Sequence, residues 1–140
     1  MEIQLNWLAI LLAAVSTMVV GSIWYGPLFG KLWTKLARVK KGPSFGPREM
    51  VIMYGGAFLG SAITATVLAI AVFVAHQFFG GSYLLVSLNT AVLLWAGFTA
   101  TRIHMHDSFE GRRKKLTLLS VSHELVTVAV MALIIGLLPA

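Results

Sequence analysis

The residues best able to do chemistry are His123 and Glu124, adjacent in the last apolar stretch of the chain. Glu124 lies eight residues after Leu116, where that stretch begins, so on a helix it is ~12 Å along. That is near the middle of a ~30 Å hydrocarbon layer. An ionisable group at that depth is costly to keep and marks a functional site by default. Low-dielectric surroundings raise the pKa of a carboxylic acid, bringing it toward neutral pH, and lower that of an imidazole. Ser120, Glu124 and Thr127 share one helical face, with His123 one step round it. Such a polar stripe suits a relay for a proton or cation. A structural role is the alternative, with a neutral Glu124 bonded to Asn89, Thr90 or Thr101. Asn89 also lies inside an apolar stretch, so its amide needs a partner.

A second group is His104-x-His106-Asp107. Imidazole and carboxylate are plausible ligands for zinc or nickel. On a regular helix, however, positions i and i+2 point to nearly opposite sides, so these are weak metal candidates and no metal is expected. Asp107 and Glu110 are expected to pair with Arg112 and Arg113, contributing little at a wet surface. His123-Glu124 begins like a zinc-protease motif, but position 127 is Thr, which breaks the pattern. The chain has no Walker loop, no Gly-x-Gly-x-x-Gly and no cysteine. No catalytic residue, enzyme activity or cofactor is therefore expected.

The elements that position these groups follow from composition. The chain has 140 residues, 58% hydrophobic and 11% charged, against about 25% charged in a soluble domain. Four stretches are long and apolar enough to cross a bilayer, at about 5–26, 50–75, 83–103 and 116–138. The predicted fold is all-α, a single membrane domain built as a four-transmembrane-helix bundle. The first stretch lacks a preceding Lys or Arg, so it is not expected to be a cleaved signal peptide. The net charge is +6, and all eleven Lys and Arg lie between stretches one and two or at and between three and four. The positive-inside rule then places both basic loops in the cytoplasm and both termini outside. With the charge so used, nucleic acid is not an expected partner.

Residues 28–41 between the first two stretches read as an amphipathic interfacial helix. Leu28, Phe29, Leu32, Trp33 and Leu36 form its apolar face, and Lys31, Lys35, Arg38 and Lys41 its basic one. Anionic headgroups are the expected partner, each charge contributing about 1 kcal/mol. Trp24, Tyr25 and Trp33 read as an aromatic belt, whereas Trp95 is placed to line a pocket. Helix packing is expected along small residues: Gly56, Gly60 and Thr64 on one ladder, Ala57, Ser61 and Ala65 on the next. Two smooth faces on one helix allow one to serve as a homo-oligomer seam.

Asn6-Trp7-Leu8, Gly21, Trp24-Tyr25, Pro27-Leu28-Phe29-Gly30-Lys31, Trp33, Gly97-Phe98, Phe109-Glu110-Gly111-Arg112 and His123 occur in an order that resembles the domain of unknown function 1761 family. The likeness covers most of the chain and is weaker in the second stretch. It implies a small four-helix bacterial membrane protein, hence a multi-pass protein of the inner membrane, and it implies no activity. His104, His106 and Asp107 depart from the residues usual in similar proteins, so no metal role follows from it. Three functions stay open: an interaction bundle acting as a homo-oligomer or complex subunit, an oligomeric proton-coupled transporter using Glu124 and His123, and a lipid-acting enzyme. The first is the leading expectation.

Overall fold

A computed structural model describes residues 2–38 and 45–140. The described residues form helices joined by short turns. The first, α1 (Trp7–Ile23), runs into a π-helical turn at Trp24–Leu28 and then the short α2 (Gly30–Ala37). The long α3 (Pro47–Phe79) follows. The third apolar stretch is α4 (Tyr83–Leu94), a second π-helical segment (Trp95–Ala100) and α5 (Thr101–Phe109), and α6 (Lys114–Leu137) closes the chain. Four of these helical runs are long and apolar enough to cross a membrane, which is compatible with a multi-pass membrane protein. Lys40, Lys41 and the Gly42-Pro43 turn lie outside the described residues.

The four long helices make a square in which α1 and α4 each touch both α3 and α6. Its core lies in the half nearer the termini, where Ala13, Ala65, Val72, Ala91, Met131 and Ala132 are buried together. Small side chains dominate because they let helix backbones approach closely. Ser87 donates to the Ala132 carbonyl at 2.7 Å, tying α4 to α6. Asn6 caps α1 through the Ala9 amide and also donates to the Leu138 carbonyl at 3.2 Å.

Helix boundaries differ from the sequence reading where local chemistry sets them. Pro47 sits in the first turn of α3, where its missing N–H costs nothing. At the far end Gly80 and Gly81 have φ of +67° and +83°, so α3 runs 33 residues, roughly 50 Å. Pro27, just beyond the first apolar stretch, lies inside the first π turn. The chain passes it because Phe29 N–H reaches back five residues to the Trp24 carbonyl at 2.8 Å and Gly26 leaves helical geometry.

The α5–α6 turn also differs from expectation. Arg112 N–H bonds the Asp107 carbonyl and Gly111 N–H the Ser108 carbonyl, a Schellman closure with Gly111 at φ +69°. It folds α6 back over the end of α5. Asp107 was expected at a wet surface; it is instead buried, accepting from Thr117 Oγ1 at 2.6 Å and lying 3.5 Å from Arg112. Glu110 approaches His106 rather than an arginine, and Arg113 caps the start of α6.

A Cβ on Gly136 would lie 2.9 Å from the Leu84 Cα and 3.1 Å from the Ser87 Cβ. Gly136→Ala should therefore push α4 from α6 and cost about 1–3 kcal/mol, read as a lowered thermal midpoint in detergent.

Candidate functional site

The site forms where α1, its π turn, the second π segment and α6 converge. Thr17 and Gly21 on α1 and Trp24 at the start of its π turn recur at helical spacing and share a face. That face meets His123: a Cβ on Gly21 would come within 3.9 Å of its Nε2. The Trp24 and Tyr25 rings lie 5.8 and 4.8 Å from the imidazole, centroid to centroid. Phe29 backs Trp24 and Trp33 backs Tyr25. Expected as a belt, Trp24 and Tyr25 thus also wall the histidine. The π turn produces this by bending the chain so that both adjacent rings face α6. Gly30 permits the bend, since a Cβ there would be 2.7 Å from the Tyr25 carbonyl oxygen.

His123 is mostly enclosed, with its side chain 14% exposed, while the adjacent Glu124 side chain is 43% exposed. Their polar atoms, Nδ1 and Oε1, are 3.4 Å apart. Thr127 lies one turn on, bonding the His123 carbonyl at 2.9 Å, with its hydroxyl 3.4 Å from Nε2. Ser120 faces the Tyr25 hydroxyl. The four α6 residues of the polar stripe thus divide between the aromatic wall and an open groove. Asn89 joins neither: it lies exposed on α4, without the intrachain role expected of its amide. Thr101 turns back to the Gly97 carbonyl. Among the described residues no hydrogen bond joins Glu124 to Asn89, Thr90 or Thr101.

The groove holds about 750 Å³. Glu124, His123 and Thr127 form its floor. One wall is α3, with Ala57, Gly60, Ser61 and Thr64, and the other is Leu94, Trp95 and Phe98. It exists because α3 meets α4 but parts from the third stretch beyond Leu94. The two small-residue ladders fare differently. Ala65 is buried, and Ser61 shares a 2.7 Å hydrogen bond with Thr17 of α1. Gly56 and Gly60 have open space where a Cβ would be. The sequence reading did not include Thr17 or Phe98 in the site; the α1 face at helical spacing was the available signal for Thr17.

The basic residues and histidines lie elsewhere. Lys35 joins Arg113, Lys114 and Lys115 around a hollow between α2 and α6, whereas Lys31 is exposed and Arg38 ends α2 with φ +55°. Lys41 is outside the described residues. His104 lines a separate hollow with Ser108 and Thr117. His106, Asp107 and Glu110 place one ligand atom each within 4.8 Å of one another, but the Asp107 carboxylate is already held by Thr117 and Arg112.

A family model describing a protein of unknown function, DUF1761, matches residues 8–136. The chain belongs to that family. No curated protein and no solved structure matches it. Some of the residues that carried the resemblance to the DUF1761 family meet in space: Gly21, Trp24 and Tyr25 lie against His123, with Phe29, Gly30 and Trp33 behind them.

The two site tryptophans differ in one respect. Trp95 Nε1 donates to the Val121 carbonyl at 3.0 Å, while Trp24 Nε1 is buried with no partner among the described residues. Trp95→Phe forfeits a hydrogen bond worth about 1 kcal/mol, whereas Trp24→Phe removes an unsatisfied donor. Thermal unfolding in detergent should therefore rank Trp95→Phe as the more destabilising change.

Proposed function

We propose that this chain is a multi-pass protein of the bacterial inner membrane that binds a small solute at Glu124 and exchanges it for a proton, working as a homo-oligomer. The observation that carries this reading is that the ionisable pair sits on α6 facing both π-helical segments of the described residues. Such turns are rare and concentrate at functional sites. The half-exposed carboxylate opens to a groove of ligand size. His123, one bond from Glu124 in chain order and walled by Tyr25, is placed to pass the proton. Four helices seldom enclose a pathway alone, which is why the oligomer belongs to the proposal.

In this reading both basic loops face the cytoplasm and the termini face outward. The amphipathic α2 lies on the inner leaflet, and Lys31 and Lys35 meet anionic headgroups. A second reading is an interaction bundle, as a homo-oligomer or complex subunit. It is favoured by the first half of α3, where Gly55, Gly56 and Gly60 present a smooth face with nothing against it.

The test is Glu124→Gln in liposomes, with infrared spectroscopy following the carboxyl band. The wild type should show a carboxyl band that grows as pH falls, and the variant should lose it while keeping its helicity and oligomeric mass. A wild-type band indifferent to pH, together with a variant that no longer assembles, would sink the transport reading and leave the interaction bundle.

A further inference from the structure

The groove also contains the chemistry to select its occupant. Among the described residues its lining includes Glu124 and His123 but no lysine, no arginine and no second carboxylate. The remaining walls are aliphatic, aromatic or small hydroxyl-bearing side chains, among them Ile63, Val67, Phe98 and Thr64. The basic residues of the described chain cluster instead around the turns at the far end of the bundle. We infer that the groove binds an amphipathic organic cation, whose charged nitrogen or phosphorus pairs with the Glu124 carboxylate and whose apolar groups fill the space between α3 and Phe98. This rests on the functional reading above and specifies its substrate class.

Three features support it. First, a cation is the charge that the Glu124 carboxylate complements, whereas an anion beside it would be repelled. Second, the mouth lies on the side of the bundle. Ile63, Val67 and Phe98 are exposed there, Phe98 by 73%, so a molecule already dissolved in an apolar phase enters without crossing a polar rim. Third, Gly60 and Ala57 give the α3 wall its depth, because open space stands where a Gly60 side chain would be. Trp95 and Phe98 add aromatic faces, which attract organic cations.

Binding is written as an exchange. Where Glu124 carries a proton, its carboxyl releases that proton as the cation arrives; the carboxylate–cation pair is neutral like the acid it replaces, and the departing proton carries away the positive charge that the cation brings. The titratable groups that face Glu124 are His123 beside it and Tyr25 from the first π turn; α3 and the third stretch offer the groove hydroxyls, an indole and apolar side chains, none of which titrates near neutral pH. Lower pH therefore competes with the cation for one carboxylate.

The experiment is calorimetric titration of the full chain in lipid nanodiscs, using two probes of equal shape and opposite charge, tetraphenylphosphonium and tetraphenylborate. After subtraction of empty discs, saturable phosphonium binding is expected, at least tenfold tighter than borate and weakening as pH falls. Glu124→Gln should bring the two probes to parity, and Gly60→Leu, which fills the groove, should weaken phosphonium at least tenfold with Glu124 intact. Equal binding of both probes to the wild type, or phosphonium affinity unchanged by either substitution, overturns the inference. A carboxyl band that titrates normally in a protein blind to phosphonium would reject this substrate class alone; a band that never responds to pH would reject the functional reading beneath it.

Discussion

A carboxylate beside an imidazole, halfway along a helix of otherwise apolar surroundings, is the constraint to which the rest of the molecule is fitted. Polar groups removed from water are expensive unless they are paired, and the pairing available to Glu124 is slight: one ring nitrogen at 3.4 Å and a phenol nearby. The surroundings meet that demand locally. Two helices depart from α geometry opposite the pair, an aromatic wall shields the histidine, and α3 stands away from the third apolar stretch so that the acid keeps an opening. The half of the bundle nearer the termini has no such task and packs closely around alanines, Ser87 and Met131.

The distribution of rigidity follows from this division. Near the termini, α4 and α6 approach until Gly136 is the largest residue that fits. At the opposite end the chain relies on turn chemistry. Gly111 supplies a left-handed residue, and the buried Asp107 is held by Thr117 and Arg112. Between these two fixed ends lies the segment containing both π turns and the groove. The closely packed ends and the less regular middle are thus set by separate contacts.

The four long helices were legible because unbroken apolar runs of about 20 residues have few other fates. The importance of His123 and Glu124 was legible for a related reason, since ionisable residues stand out against such a background. Less was legible about direction. Asn89 sits as deep in its stretch as a buried residue would, yet it faces outward on α4, because depth along a helix says nothing of the angle around it. Trp24 and Tyr25 matched an interfacial belt by position, and only the bend at Gly26 and Pro27 turns both toward α6. Asp107 was assigned to solvent because its neighbours are charged; the Schellman turn that buries it depends on one hydrogen bond spanning five residues and another spanning three, a pattern no composition announces. The small-residue ladders could be seen, but which faced α1 and which faced open space depended on where α3 parts from its neighbours.

The π segment at Trp95–Ala100 has a consequence for the phase of the helix that contains it. A π turn accommodates about one residue more than an α turn, and one residue corresponds to about 100° of rotation. Thus α4 and α5 are not one continuous wheel: the face that locks onto Ala132 through Ser87 and the face that presents Asp107 to Thr117 are set independently, with the extra residue acting as the offset between them. Deleting a residue there would restore a regular helix and swing the clamp at the turn away from its partner, while leaving the α4 contact in register. The irregularity is in this sense a gear tooth that lets one helix keep two incompatible appointments.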